Sequence, residues 1–270
     1  MRIVTYNIQY GIGLDGQYDI VRICDAVRDA DIICFQEVTR GFIRNAGADM
    51  PAEIEGHLPN FFSSFHAATD IDMLSGFVEG RAANRRFQFG NMVLSRWPIA
   101  AVRGHLLPRT ARENALNLQR GALEALIKTP DGPLRVYSIH LDHVSSVERL
   151  SQVQAVRAIA DEYAQTGGAI TGAQEFGLPV KEEDGGYLLL GDFNFEPGSD
   201  EYAEMTSGDV IDAAVEATGW TWVLPEDRRN TKRLDHIFAN SLLSSKCHSP
   251  RIDHEAVGSD HMPVWITLSA

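Results

Sequence analysis

The feature that most constrains this chain is a short apolar run that stops abruptly at a polar side chain, repeated from one end of the sequence to the other. Such runs occupy residues 3–6, 32–35, 136–139 and 188–190. Runs of this length are typical of buried β-strands, because a helix that packs on a core needs a longer pattern with a 3.6-residue period. The sequence therefore predicts a chain built mainly of strands with polar ends.

Clear helical periodicity is confined to two segments. Asp19 can cap a helix over residues 20–27, whose apolar residues follow the i, i+3, i+4, i+7 spacing, and residues 145–165 form a longer amphipathic pattern. Weaker helical signals follow Pro51 and fill residues 199–217. Many strands, few helices and no strict alternation between them indicate an α+β fold with mixed or antiparallel sheets.

The remaining segments predict further strands and two long loops. Strands are expected over residues 60–67, 89–96, 98–107, 233–239 and 263–268, and a hairpin joins residues 121–128 to residues 134–141 through the turn at 130–133. Residues 70–88 are mostly polar and residues 166–186 are rich in glycine, so we expect each to form a surface loop.

Length and charge narrow the possible functions. The chain has 270 residues, 44% of them hydrophobic, and no visible domain boundary, so a single domain over residues 1–270 is expected. Its 24 basic and 37 acidic residues give a net charge of −13, which disfavours non-specific binding of nucleic acid. The sequence contains no apolar run of about 18 residues and no signal-peptide pattern, so no integral membrane segment is predicted. Three cysteines without a CxxC pair predict reduced thiols, and we expect a cytoplasmic protein.

The polar groups at the predicted strand ends point to metal-assisted chemistry. They are hard oxygen donors and imidazoles with no thiolate among them: Asn7, Glu37, His140, Asp192, Asn194, Asp235, Asp260 and His261. Such a set suits Mg²⁺ or Mn²⁺ rather than structural zinc. A divalent ion flanked by histidines is suited to cleaving phosphoesters. Any one of these residues is more often a turn former or a helix cap, and the prediction depends on their occurring together.

Six segments around these residues carry a family resemblance. In order along the chain they are Val4-Thr5-Tyr6-Asn7, Phe35-Gln36-Glu37-Val38, Ser138-Ile139-His140-Leu141, Leu190-Gly191-Asp192-Phe193-Asn194, Arg233-Leu234-Asp235-His236-Ile237-Phe238 and Gly258-Ser259-Asp260-His261-Met262-Pro263-Val264. They resemble the signature blocks of the endonuclease/exonuclease/phosphatase superfamily, over residues 2–268. The resemblance implies a deoxyribonuclease-I-like fold, a four-layer α/β/β/α sandwich of two packed mixed sheets with the active site at one edge.

The resemblance also implies a metal site and a water-positioning pair. Glu37, with Asn7 and Asp260 nearby, would hold the principal Mg²⁺ or Mn²⁺ ion. Asp192 and Asn194 would position the attacking water and could touch a second ion, so one or two ions remain open.

The same resemblance assigns two histidines to the phosphate. His261 would act there as a base or as a transition-state stabiliser, oriented by Asp235. His140 would donate to a phosphate oxygen or protonate the leaving group. Which histidine is the acid and which is the base is left open.

Three further residues are candidates for binding the substrate. Asn91 lies in a segment that resembles another family block, and Arg120 begins a predicted strand where it could contact an anion. His143 is as consistent with capping the following helix as with binding substrate. The stretch after His140 lacks the aromatic and amide residues that some DNA-repair members of the superfamily place there, which favours the phosphatase and phosphodiesterase branches.

The sequence thus predicts a Mg²⁺- or Mn²⁺-dependent phosphoesterase that hydrolyses a monoester or diester by activated water, without a covalent intermediate. A nuclease acting on DNA or RNA is the alternative, disfavoured by the net charge and by a total of four lysines. A catalytically silent binding protein is disfavoured because every polar residue of the signature is present. A small or specifically held phosphorylated substrate is favoured. Small phosphorylated metabolites or lipid head groups carry at least the weight of nucleic acid as substrates, although no exposed hydrophobic hairpin that would support lipid head groups is predicted. The natural substrate and the oligomeric state stay open.

Overall fold

The computed structural model describes residues 1–112, 117–178 and 186–270. Its strands are β1 (Arg2–Asn7), β2 (Ile32–Arg40), β3 (Phe62–Asp72), β4 (Gly76–Val78), β5 (Arg81–Ala83), β6 (Arg86–Ser95), β7 (Ile99–Leu106), β8 (Gly121–Thr129), β9 (Gly132–His140), β10 (Tyr187–Asp192), β11 (Val210–Asp212), β12 (Trp222–Leu224), β13 (Asp227–Lys232), β14 (Asp235–Asn240), β15 (Cys247–Ile252) and β16 (Val264–Leu268). Its α-helices are α1 (Ile20–Val27), α2 (Met50–His57), α3 (Ser146–Thr166), α4 (Asp200–Met205) and α5 (Ser241–Ser244).

Most of these strands form two six-stranded mixed sheets. The first sheet has the order β15-β16-β1-β2-β6-β3, in which only the β1–β2 pair is parallel among the described strands. The second has the order β11-β14-β10-β9-β8-β7, with β9–β10 as its parallel pair. The hairpins β4–β5 and β12–β13 stand apart from both sheets.

Side-chain alternation along the strands divides the core into three layers. Between the sheets lies a cluster that includes Ile3, Cys34, Val136 and Leu190. Alternate residues of the first sheet pack against α1 and α2, and alternate residues of the second pack against α3. Because successive strand residues point to opposite faces, each sheet is buried on both sides. The result is the predicted α/β/β/α sandwich.

A band of buried polar side chains crosses from one sheet to the other near one end of the inner core. Gln36 Nε2 donates to Ser138 Oγ at 2.9 Å, and Thr5 Oγ1 donates to Gln36 Oε1 at 3.2 Å. Asn91 Nδ2 donates to the carbonyl oxygens of Gly121 and Ser138, at 2.9 and 2.7 Å. Because a buried polar group is costly unless paired, these bonds fix how the two sheets align at this end.

The N-terminal caps of α1 and α3 are short polar side chains, and the cap of α1 is the predicted one. Asp19 accepts a hydrogen bond from the Arg22 backbone amide, as expected for the residue that begins α1. At α3 the cap is Ser145, which accepts from the Glu148 amide, and Gly167 ends the helix in a left-handed conformation.

The prediction of a loop over residues 70–88 is wrong. Strand β3 continues to Asp72, β6 begins at Arg86, and the hairpin β4–β5 lies between them. This hairpin region exposes apolar side chains, with Leu74 85% exposed and Phe77 81% exposed, so the expectation of no exposed hydrophobic hairpin is also wrong. Both errors have one cause. Backbone hydrogen bonds hold the β4–β5 hairpin and the adjoining ends of β3 and β6, and few of their side chains are buried. Apolar periodicity in a sequence detects only those strands that bury one or both faces.

Two other predictions need correction at short elements. Residues 199–217 were expected to be weakly helical, but α4 ends at Met205 and β11 follows. Strands β12, β13 and β15 were not predicted, because the apolar run of β12 is only three residues long and the sequences of β13 and β15 lack one. Part of the predicted loop over residues 166–186, namely 179–185, lies outside the described residues.

Of the helices in the described segments, none is both long and apolar enough to span a bilayer.

Candidate active site

The predicted site residues converge because they share one face of their strands. In β1 the inward-facing series runs through Ile3 to Asn7, and in β10 it runs through Leu188 and Leu190 to Asp192. The same alternation brings His140 to the end of β9 and Asp235 to the start of β14. Parallel β1–β2 and β9–β10 pairs end at the same edge, so these polar side chains meet there.

Glu37 reaches the site through a bulge in β2. Regular pairing with β6 breaks between Phe35 and Val38, and Glu37 adopts a left-handed backbone conformation with φ of 60°. Simple alternation would turn Glu37 toward the helices, beside Phe35. The bulge instead turns the Glu37 carboxylate toward the edge of the sheet, and Val38 again packs in the apolar layer beside the helices.

Gly191 allows β10 to approach β9 closely, which places Asp192 in contact with the other site residues. Gly191 has φ of 155°, and a Cβ there would lie 1.9 Å from the Ile139 carbonyl oxygen, so no other residue fits without moving β9 away. In this register Asp192 is paired with His140. The Asp192 carboxylate accepts from Asn7 Nδ2 at 2.9 Å and from the backbone amide of Asn194 at 3.0 Å.

His261 is held by a buried carboxylate on one side and faces Asp192 on the other. Its Nδ1 lies 2.8 Å from Asp235 Oδ2, and its Nε2 lies 3.7 Å from Asp192 Oδ2. Burial lowers the pKa of His261, but the charges of Asp235 and Asp192 outweigh it and leave that pKa well above its ordinary value. This imidazole therefore holds a proton readily, with its orientation fixed by Asp235.

Arg120 forms a second, cationic part of the site. The guanidinium is buried, its Nη1 lies 2.9 Å from His140 Nε2, and its Nη2 lies 2.8 Å from His143 Nδ1. Burial first, and then the Arg120 charge, lowers the pKa of both His140 and His143, so both are neutral at pH 7. Among the described residues no carboxylate lies within 4.0 Å of this guanidinium, so its charge is available to an anion.

The carboxylates of the site are suited to holding a divalent ion. Burial first, and then the Asp260 charge, raises the pKa of Glu37 to about 7, and burial likewise raises the pKa of Asp192 to about 6 and that of Asp260. A cation would relieve this crowding of like charges. Within the described residues Asp235 Oδ1 is buried without a hydrogen-bond partner, and Asp192, Asp235 and His261 offer ligand atoms within 4.8 Å of one another.

Two donor sets are therefore available at one centre. The set implied by the family resemblance, Asn7, Glu37 and Asp260, lies beside the Asp192–Asp235–His261 group, with Asn7 Nδ2 3.4 Å from Glu37 Oε1. Asp260 is oriented by Trp222, whose Nε1 donates to Asp260 Oδ2 at 3.1 Å. Oxygen predominates in both sets, which fits the predicted Mg²⁺ or Mn²⁺.

These groups open into a cleft of about 490 Å³. Most of the predicted site residues line it: Glu37, Arg120, His140, His143, Asp192, Asn194, Asp260 and His261. Asn7 and Asp235 contact that set from behind. Asn91 does not line the cleft, and its amide hydrogens are directed to the backbone of the second sheet. His143 lines the cleft, whereas Ser145 supplies the helix cap that had been its alternative role.

The sequence did not identify the apolar side chains of the cleft. They come from separate segments: Tyr10, Phe42, Phe87, Phe89, Leu118, Trp222 and Leu234. Leu234 belongs to the predicted motif around Asp235, but an isolated aromatic or leucine residue carries no sequence signal that separates a cleft from a core.

Comparison with known proteins supports the fold that positions these residues. A family model described as the endonuclease/exonuclease/phosphatase family matches residues 4–261. An endonuclease/exonuclease/phosphatase structure from Beutenbergia cavernae has a TM-score of 0.69 at 20% identity, over 100% of this chain and 72% of that one. A mannosyl-6-phosphatase from Bacteroides thetaiotaomicron has a TM-score of 0.65 at 17% identity, over 100% of both chains. A Neisseria 3′ phosphatase bound to product DNA hairpin has a TM-score of 0.61 at 17% identity, also over 100% of both. No curated protein matches the sequence. At these identities the structural likeness concerns the fold, and it confirms the predicted sandwich.

Proposed function

This chain belongs to the endonuclease/exonuclease/phosphatase family, and from that premise we propose that it is a Mg²⁺- or Mn²⁺-dependent phosphoesterase. The observation that carries the proposal is the meeting of three components in one cleft. These are a group of buried carboxylates, the His261–Asp235 pair and the Arg120 guanidinium without a carboxylate partner in the described chain. Together they suit a substrate that brings a phosphate group to a divalent ion.

The carboxylates supply the metal site of this proposal. Glu37 and Asp260, with Asn7 nearby, would hold the ion, and Asp192 would contact it or a second one. When bound, the ion neutralises charge on the phosphate oxygens and lowers the pKa of water. Asp192 and Asn194 orient the attacking water. Asn194 is fixed for this by the hydrogen bond from its Nδ2 to the Leu141 carbonyl oxygen, at 3.1 Å.

The remaining groups handle charge and protons. Arg120 donates to a phosphate oxygen, since His140 and His143 hold its guanidinium without neutralising it. His261, held by Asp235, stabilises negative charge on the phosphate or exchanges the proton of the attacking water. His140 Nε2 lies 3.4 Å from Asp192 Oδ2, so this imidazole lies beside the expected phosphate position and holds Arg120 there. No side chain is required to form a covalent bond to phosphorus.

A small or specifically held substrate is favoured over a long nucleic acid. The net charge of −13 opposes binding along a polyanion, and the cleft volume matches that of small-molecule sites. The related structures include a phosphatase named for a mannosyl phosphate and a 3′ phosphatase bound to DNA, so the fold accommodates both classes. Cleavage within DNA or RNA is the second candidate.

A panel of phosphomonoesters and phosphodiesters, with and without Mg²⁺ or Mn²⁺, tests the proposal. We expect metal-dependent turnover by the wild type. His261→Asn and Asp192→Asn should each lower kcat/KM by at least about 100-fold, since each removes a group that acts on the reacting atoms. The exposed replacements His248→Asn and Asp131→Asn are matched controls and should leave it unchanged. Absence of turnover on the whole panel would overturn the enzyme proposal, and full activity in both site variants would overturn the site.

A further inference from the structure

One side of the cleft is an aromatic wall made by Tyr10, Phe42 and Phe87. The Tyr10 and Phe42 ring centres lie 4.9 Å apart at 74°, and those of Phe42 and Phe87 lie 5.0 Å apart at 32°. All three rings line the cleft that holds the carboxylates. None of them is needed to bind a metal or a phosphate group, so the wall calls for an explanation beyond the reaction itself.

The backbone that presents Tyr10 is held in an unfavourable conformation. Gln9 and Tyr10 both have left-handed conformations, with φ of 41° and 44°, which cost non-glycine residues free energy. Asn7 Oδ1 accepts from the Gln9 amide at 3.1 Å, and the buried Asn45 donates to the Tyr10 carbonyl oxygen at 3.1 Å. Strain maintained by specific hydrogen bonds is typical of a functional surface.

The Tyr10 side chain is fixed as well. Arg44 donates from Nη1 to the Tyr10 hydroxyl at 2.7 Å, and its guanidinium lies 4.8 Å from the centre of the ring. A tyrosine that only filled space beside Phe42 would not require this cation. The ring is therefore presented to the cleft in one orientation, which is what a stacking surface requires.

The size of the cleft leaves room for a substrate group beside this wall. At about 490 Å³ the cleft is much larger than a phosphate group requires. Trp222 and Leu234 add apolar lining to the same cleft, and Lys232 Nζ lies 6.0 Å from the centre of the Trp222 ring. The cleft thus combines a polar, acidic floor for the ester with an apolar, aromatic-rich side for the group attached to it.

We propose that the aromatic wall binds a flat unsaturated ring on the alcohol portion of the substrate, so that the enzyme prefers ring-bearing phosphoesters such as nucleotides or aryl-alkyl phosphates. The proposal rests on the phosphoesterase function and specifies its substrate class. Planar rings stack on Tyr10, Phe42 and Phe87, whereas a sugar or a saturated chain gains less from these ring faces.

Matched substrate pairs with the same reacting ester test the proposal. Adenosine 5′-monophosphate and ribose 5-phosphate differ in the base, and 2-phenylethyl phosphate and 2-cyclohexylethyl phosphate differ in the flatness of the ring. Each is assayed as the monoester and as its methyl diester. We expect wild-type kcat/KM to be about 5- to 150-fold higher for the flat-ring member of a pair, the range that stacking of one base supports. A preference for the flat-ring member in the first pair alone would mean that the wall binds nucleobases specifically. A preference in both pairs would mean that it binds any flat ring.

Replacing the central ring of the wall supplies the structural test. Phe42→Leu keeps an apolar side chain and should reduce the flat-ring preference toward unity, whereas Phe42→Tyr keeps a ring and should retain it. Phe62→Leu is the matched control, because Phe62 is 51% exposed on β3 and does not line the cleft. Thermal melts establish that each variant is folded. If Phe42→Leu does not fold, Phe87→Leu provides the same test.

The failure of this inference is distinct from the failure of the proposed function. Turnover of the substrates with equal kcat/KM within both pairs, or an unchanged preference in a folded Phe42→Leu protein, would overturn the stacking proposal and leave the phosphoesterase intact. Absence of metal-dependent turnover on every substrate would overturn both.

Discussion

At the scale of single residues, the site contains buried polar groups that their neighbours only partly satisfy. Arg120 is buried, and its contacts are neutral imidazoles rather than carboxylates. Asp235 has a buried oxygen without a partner among the described residues. Uncompensated buried groups are costly to keep in a folded protein, and they are expected where a ligand supplies the missing partner.

Replacing Arg120 with lysine tests whether the guanidinium shape matters beyond its charge. A lysine ammonium cannot contact both His140 and His143 and still present a flat fork to a phosphate. We expect Arg120→Lys to lower kcat/KM by about 10- to 150-fold, the range for losing a hydrogen bond to a charged group, while Arg81→Lys on the exposed hairpin has no effect. Steady-state kinetics on one phosphoester measures both. Equal kinetics for wild type and Arg120→Lys would exclude a role for the guanidinium in substrate binding.

The sequence predicts that Asn91 binds substrate. Its hydrogen bonds instead favour a role in positioning the two sheets relative to each other. Both of its hydrogen bonds join the two sheets behind the site. We expect Asn91→Ala to lower the free energy of unfolding by about 1–3 kcal/mol, because two buried carbonyl groups lose their donor. KM should change little. The control Asn60→Ala, at an exposed position, should change neither KM nor the free energy of unfolding. A large rise in KM with unchanged stability, from chemical denaturation, would instead support direct substrate binding.

At the scale of elements, the sequence predicts well those strands that are buried on both faces and begin or end in the polar residues of the site. Strands β1, β9, β10 and β14 are buried on both faces, so their apolar runs identify them. The bulge in β2 could not be predicted, because it depends on how β2 pairs with β6 and not on local preference. The hairpin β4–β5 was missed for the related reason that little of it is buried.

The buried Asp212 carboxylate connects β11 to β14 and to the segment before β14, and it gives the protein a pH-dependent stability. Asp212 lies 3.3 Å from His236 Nδ1 and 3.5 Å from Arg233 Nη2. Burial opposes ionisation, but His236 and Arg233 outweigh it and lower the pKa of Asp212. A carboxylate whose folded pKa is lowered stabilises the protein above its unfolded pKa, about 3.9, and that contribution disappears as the pH falls through the folded pKa.

Asp212→Asn should therefore destabilise the protein at pH 7 and matter less in acid. We expect the free energy of unfolding to fall by about 1–3 kcal/mol at pH 7, since the variant leaves His236 and Arg233 without their carboxylate partner. The difference from wild type should narrow below about pH 4. Denaturant melts over a pH series measure this, with Asp131→Asn at an exposed turn as the control. A difference that stays constant from pH 3 to pH 7 would show that charge is not the cause.

At the scale of the whole molecule, the charge distribution bears on which phosphoesters can approach. The net charge of −13 includes the acidic residues of the site, and a bound divalent ion offsets about two of those charges. The remaining surface still repels a long polyanion, while a small substrate meets only the cleft and its arginine.

Salt dependence distinguishes the two substrate classes. A protein that contacts six to ten phosphates of duplex DNA loses about 1,000- to 100,000-fold in affinity between 50 and 200 mM salt. For this protein we expect kcat/KM on a small phosphoester to change by less than about tenfold over the same range, because one phosphate is bound. Initial rates across a potassium chloride series provide the measurement. A steep decline, together with cleavage of duplex DNA, would favour the nuclease alternative.

A metal titration tests most directly whether this chain is a divalent-metal-dependent phosphoesterase whose ion is held beside Glu37. Initial rates on a phosphoester that the wild type hydrolyses are measured for the wild type and for Glu37→Gln. Each protein is assayed first after chelation and then at increasing Mn²⁺ concentrations. We expect no activity after chelation and saturable recovery in the wild type, with Glu37→Gln requiring at least about tenfold more Mn²⁺ because it loses a charged oxygen donor. Full activity in the chelated wild type, or identical Mn²⁺ curves for the two proteins, would contradict the account.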